Sequence, residues 1–415
     1  MKHIRHFFTK HRKEKIEKAT IWMLLVANIS LAILLFAHPA SAYPEVKELA
    51  GNHMTFTQLS TYFNDLAKRK GAVYAFDVLK RAHIPPNTDI HLLGHGIGDI
   101  LYEQKGTGGM VYCTRDFRNA CSHQIVINTL LQKGPQSFPD IVEACKKAPG
   151  GRNGYSMCFH GLGHGVLAYN GYDLAKGMEM CNLSGPARGE EVVQCMGGAV
   201  MEMMAGVHDP EIWREQSKKY FSTTDPLAPC DTSIIPPEGK RICYIYLTPH
   251  LFERAGQKQG TKPVAENLKR AMSYCEQLSG NDRKACYGGF GKEYAPMAHD
   301  KDIRNIGTMS DHELDTALYW CSLAPKADGA NYCISEAVRS LYWAGDVDPA
   351  IPTRFCVLAD NWGYGKSCAE AFIGSVAANR DDPTYRKNIC DHMPTSSQGM
   401  CRSRLLPEKQ QSASR

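Results

Sequence analysis

His160 and His164 stand four residues apart in Cys158-Phe159-His160-Gly161-Leu162-Gly163-His164-Gly165. On a helix that spacing projects both imidazoles from one face, about one turn apart. It is the spacing of a two-histidine metal clamp. His91 and His95 repeat it in His91-Leu92-Leu93-Gly94-His95-Gly96, and Asp99 extends the same face by a further turn. His123 follows Cys121 by two positions, as His160 follows Cys158. Imidazole ligates zinc, copper and iron, so His91, His95, His123, His160 and His164 are the candidate metal ligands. Glu202 and Glu293, each placed shortly after a Gly-Gly pair, and Asp99 are the additional carboxylate candidates.

A packing account competes with the metal one. Repeats arise by duplication, so recurring histidines can be inherited as core residues or as hydrogen-bonding groups near helix ends. Against it, Met201, Pro249, Lys292, Arg339 and Gly374 occupy the position of His164 in later copies, so the histidines persist only in adjacent N-terminal units. The sequence argues against a zincin protease: Leu92 and Gly161 stand where its catalytic glutamate belongs, and the clamp so loses the group that would activate the metal-bound water.

The cysteines define the elements that must position these side chains. Aligned on Cys158, further copies of the unit begin at Cys121, Cys195, Cys243, Cys286, Cys333, Cys368 and Cys401, spaced 33 to 48 residues apart. Each is preceded by another cysteine across a short, breaker-rich gap. All 16 cysteines are thereby used, and the repeat makes neighbour pairing the simplest scheme: Cys113–Cys121, Cys145–Cys158, Cys181–Cys195, Cys230–Cys243, Cys275–Cys286, Cys321–Cys333, Cys356–Cys368 and Cys390–Cys401. Helical apolar spacing on both sides of each gap predicts an αα-hairpin, its staple tying the last turn of one helix to the first turn of the next. The fold class is therefore all-α: an array of about eight or nine disulfide-stapled hairpins, as an open superhelical solenoid or a closed α/α toroid. In the first unit Asp89 stands where the cysteine would be and serves as a helix N-cap, as suits an unstapled end unit. The glycines within these helices, such as Gly161, Gly163, Gly197 and Gly198, imply close helix-to-helix approach. Val207 to Pro229 and Gln257 to Lys269 exceed the repeat and read as insertions or helix extensions.

The expected organisation is a signal peptide or N-terminal membrane anchor over 1–42, a helical lead-in over 43–88, the repeat array over 89–405 and a flexible tail over 406–415. The first segment is basic to Lys18, uncharged from Thr20 to Ala37, and ends in His38-Pro39-Ala40-Ser41-Ala42, with small residues where a signal peptidase reads them. Cleaved or retained, it places the bulk of the chain outside the cytoplasm, where paired cysteines form disulfides. That segment carries seven basic against two acidic residues and so the entire net charge of +5. The remaining charges balance, which argues against a nucleic-acid partner. No C-x-x-C occurs, so thioredoxin chemistry, a zinc ribbon and haem c attachment are excluded. Tyr155, Tyr169, Tyr172, Trp320, Tyr342, Trp343, Trp362 and Tyr364 lie near the unit turns, as packing residues or as a binding rim.

The phrase Leu93-Gly94-His95-Gly96-Ile97-Gly98 resembles the Gly-His-Gly inner-helix starts of the lanthipeptide cyclases, zinc enzymes built as α/α toroids. The likeness covers this short phrase. That family's zinc ligands include cysteines, whereas every cysteine here has a repeat partner, so the resemblance implies the closed-ring option and no site residue.

Three functions follow from the sequence. The first is an extracytoplasmic binding protein holding a transition metal (zinc, copper or iron) in its histidine cluster, touching the membrane only through its N-terminal segment. The second is a metal-free scaffold for a protein or glycan partner. The third is a metal-dependent enzyme using Glu202 or Asp99 as base.

Overall fold

The computed structural model describes residues 43–406 except 207, 223, 259–260 and 345–347. The expected signal or anchor and nearly all of the tail lie outside the described residues. Among the described residues every regular element is a helix, and no helix is long and apolar enough to cross a membrane.

Chain contacts separate two units. The described part of the small one comprises residues 43–52 and 81–83. In it the helix Pro44–Glu48 is accompanied by Arg81, whose guanidinium sits 4.9 Å over the Tyr43 ring, and by Asn52, whose amide donates to the His83 carbonyl.

The large unit is the repeat array. The second helix of each hairpin is here labelled α1 (Ile90–Lys105), α2 (Asp116–Lys133), α3 (Gly151–Tyr169), α4 (Glu190–Ala205), α5 (Pro237–Tyr246), α6 (Gly280–Ala298), α7 (Ala327–Ala344), α8 (Gly365–Asn379) and α9 (Thr395–Leu405). Each packs on the next in unbroken succession. First helices such as Phe138–Cys145, Leu174–Cys181 and Asp311–Ser322 lie against the second helix of their own hairpin. Beyond α6, the Asp300 carbonyl accepts from the Asn87 amide (2.7 Å) and Arg304 donates to the Leu79 carbonyl (3.0 Å).

Eight disulfides join the neighbouring cysteines of each unit. Their Cα–Cα distances run from 5.3 to 5.7 Å, inside the normal span of the bond. Eight buried disulfides suggest an oxidising, extracytoplasmic environment. The closed loops are short, so each staple contributes roughly 3 kcal/mol by restricting the unfolded chain. The second cysteines do not stand in the first turn of their helices, where the sequence implied they would. Apart from Cys368, the second cysteine of each pair lies in the second turn of its helix, as Cys158 does in α3. In α3 and α6 the gap residues enter the helix about a turn early, after glycines in the left-handed region: Gly150 at φ +103° and Gly151 at φ +61° open α3, and Gly280 at φ +56° opens α6.

Helix spacing follows from the other glycines. A Cβ on Gly198 of α4 would lie 1.8 Å from the His160 carbonyl oxygen of α3, and one on Gly163 would lie 2.0 Å from the Cys195 carbonyl oxygen. The α3 and α4 backbones are thus in direct contact across a reciprocal glycine pair. That contact fixes where the α3 histidines stand relative to the α4 side chains.

Candidate metal centre

Successive stacking turns the histidine faces of α1, α2 and α3 toward one another. His91 and His95 project from α1, His123 from α2, and His160 and His164 from α3. Neighbouring ring centroids lie 4.6 Å (His91–His95), 5.4 Å (His91–His123), 5.7 Å (His123–His160) and 5.1 Å (His160–His164) apart. His95, His123, His160 and His164 are no more than 5% exposed. All five candidates therefore meet in one centre.

A sixth imidazole joins them from outside the repeat. Gly206, at φ +61°, ends α4 with a left-handed cap. Asp209 then caps the helix Pro210–Gln216, its side chain accepting from the Ile212 amide, with Pro210 at the first helical position. Between these two caps His208 comes within 5.7 Å of His95 and 5.9 Å of His164, ring to ring. His208 lies in the insertion, where no repeat register pointed to it. The insertion itself was the only signal.

Hydrogen bonds fix the tautomers. His91 Nδ1–H donates to the Phe117 carbonyl (2.6 Å), and His95 Nδ1–H donates to Gln124 Oε1 (2.7 Å). Gln124 must face His95 with its oxygen because its amide nitrogen donates to Asp99 (2.6 Å), which also accepts from Asn128 (2.9 Å). The Phe117 carbonyl reaches His91 from a left-handed turn, Phe117-Arg118-Asn119, with φ of 54°, 54° and 65°. Non-glycine residues held there cost on the order of 1–2 kcal/mol each. On the other side, His164 Nδ1–H (3.0 Å) and His208 Nδ1–H (2.8 Å) both donate to Glu202 Oε2. Glu202 Oε1 accepts from the Tyr172 hydroxyl (2.6 Å) and the His208 amide (3.0 Å).

With Nδ1 protonated on both, His91 and His95 bring two lone-pair nitrogens together: their Nε2 atoms are 3.0 Å apart. His160 and His164 approach through Nε2 at 3.4 Å. Two imidazoles on one tetrahedral ion, with metal–nitrogen bonds of about 2.0–2.1 Å, would have nitrogens roughly 3.3 Å apart. Among the described residues, both ring nitrogens of His123, Nδ1 of His160 and Nε2 of His208 are buried without a hydrogen-bond partner. Met201 Sδ lies 3.4 Å from His160 Nε2.

Electrostatics keep most of these rings neutral. Burial lowers His95, His123 and His160 well below the ordinary imidazole range, and neighbouring rings act the same way. Burial takes His91 down to about 4. It also lowers His164, against the pull of Glu202. His208 runs opposite: burial would lower it, but Glu202 and Asp99 outweigh that and raise it. Burial alone would raise Glu202, yet His208 and His164 hold it well below the carboxylate range.

Two groups of donors could hold a metal ion, His91 with His95 and His123, and His164 with Glu202 and His208. Glu202 is fully buried, and its four acceptor positions are taken by four hydrogen donors. It therefore acts by orienting His164 and His208, in the carboxylate–histidine arrangement common behind metal ligands. Asp99 stands one step further back and orients Gln124. Burial raises its pKa, opposed by Asn128. Glu293 belongs to neither group: it pairs with Lys292, and its other charged neighbours are Arg118 and Lys301. Lys292 in turn sits 4.9 Å over the Tyr246 ring, which lies 5.1 Å from that of His160.

The aromatic residues do not form a single rim. Tyr172 and Tyr342 are fully buried, and Tyr172 serves Glu202, while Tyr169 and Trp362 face solvent. No family model matches the chain, and no curated protein or solved structure shows significant similarity to it.

Proposed function

We propose that this chain is an extracytoplasmic helical-repeat protein whose histidine centre holds a transition metal. One observation carries the reading. The His91 and His95 Nε2 atoms lie 3.0 Å apart, and both rings spend their Nδ1 protons on acceptors that have none to give back. Two lone pairs facing each other in a buried site repel, and a cation shared between them turns that repulsion into ligation. A packing role leaves the contact unexplained and also strands the His123 nitrogens, at about 1–3 kcal/mol per unpaired buried group. This disfavours the scaffold reading. An enzyme with Glu202 as general base is disfavoured too, since every lone pair of that carboxylate already accepts a hydrogen bond.

Of zinc, copper and iron, the donors favour copper: imidazole suits all three, and the Met201 thioether beside His160 is a soft donor. All cysteines in the chain are in disulfides, so no thiolate competes. Attachment to a membrane, where it occurs, is through residues 1–42.

Elemental analysis of protein produced without a histidine tag tests the reading. Stoichiometric metal is expected in the native chain, and a lower metal content in a His160→Ala, His164→Ala double variant that keeps its helical circular dichroism and its eight disulfides. A native chain that carries no metal, and takes up neither copper nor zinc on dialysis, would overturn it.

A further inference from the structure

We propose that the centre takes two ions side by side, one held by His91, His95 and His123 and the other by the His160–His164 clamp, with His208 beside His164. This rests on the metal-binding reading above and goes further in count and arrangement. Each of α1 and α3 carries its own clamp, with Nε2 pairs at 3.0 Å and 3.4 Å, both close to the separation that two ligands on one ion require. Among the described residues, the donor atoms that lie mutually within 4.8 Å fall into two groups, His91 with His95 and His123, and His164 with Glu202 and His208; neither group spans both clamps.

Each clamp also has a third donor to hand. His123 contributes a ring with both nitrogens buried and unpartnered to the α1 clamp. His208, whose Nε2 is buried and unpartnered, stands beside His164, bound to the same Glu202 oxygen. Glu202 is spent on orienting His164 and His208, so the second ion falls to the His160 and His164 Nε2 pair, with the His208 ring 5.9 Å from that of His164. Six imidazoles exceed the four donors of a tetrahedral site, whereas three per ion leave an open position on each. The trios share a border, with His123 and His160 ring centroids 5.7 Å apart. In two-metal centres the ions stand about 3.5–4 Å apart and act together on oxygen ligands. The ligand class implied is a bridging anion such as hydroxide.

The test uses Cu(II) as probe on the full, metal-stripped chain, counting copper retained after desalting and recording the electron paramagnetic resonance signal. Two coppers per chain are expected, with a signal well below that of two isolated ions, because adjacent Cu(II) ions couple magnetically. The His91→Ala, His95→Ala variant and the His160→Ala, His164→Ala variant should each retain one copper with a full isolated-ion signal. A native chain that saturates at one copper, or binds two with undiminished signal, overturns this proposal and leaves the metal reading standing. A native chain that binds none overturns both. The native count and signal decide the matter even if a variant fails to fold.

Discussion

Glu202 is the residue on which the geometry of the centre turns. Its position is dry, so its charge survives only because four donors surround it: two imidazole N–H groups, a phenol and a backbone amide. Each imidazole proton committed to Glu202 leaves a lone pair on the far nitrogen, which is the form a metal requires. Glu202→Gln keeps the shape and loses this logic, because the amide nitrogen would point a donor at N–H groups that are themselves donors. Metal affinity is expected to fall 10–100-fold, as is usual when such a partner is removed. Competition with a chromophoric chelator measures this, and an unchanged affinity would show that Glu202 does not orient the ligands. Met201 is a second case. By alignment it had merely replaced a histidine, but its thioether faces His160.

The α3–α4 pair sets the precision with which those residues meet. A Cβ at Gly198 would meet the His160 carbonyl, and backbone cannot be moved aside as a flexible side chain can. Gly198→Ala would have to push the helices apart. Overpacking of this kind costs about 1–3 kcal/mol, and more where backbone must shift. Thermal unfolding of the metal-free variant should show the loss, and metal affinity should drop with it because His160 moves. A melting temperature equal to the native one would mean that the helices are not in contact here. At this scale much was legible in the sequence. The cysteine repeat marked the hairpins, and the glycines of α3 and α4 signalled close approach. The left-handed turn at Phe117-Arg118-Asn119 was not legible, since Phe and Arg disfavour that conformation and one Asn, which tolerates it, does not announce a three-residue run. Nor was the early start of the stapled helices, because glycines such as Gly150 and Gly280 read equally well as loop.

Across the molecule, stacking does what no single hairpin can. A two-histidine clamp on one helix offers two donors, and the centre gathers six from α1, α2, α3 and the segment after α4. Five of the six could be read from the chain because repeats place equivalent residues on equivalent faces. His208 could not, because it reaches the centre through an insertion whose path depends on the Gly206 and Asp209 caps. Later units keep the hairpin and change its inward face, with Lys292 and Arg339 where His164 stands. The disulfides make this division possible: each unit is tied locally, so its inner face can vary without loss of the hairpin.

The most direct test of the account is X-ray absorption at the edge of the metal bound by the native chain. The account predicts a first shell of imidazole nitrogens at about 2.0–2.1 Å, with the outer-shell scattering of the rings. A shell of water and carboxylate oxygens without ring scattering would contradict it.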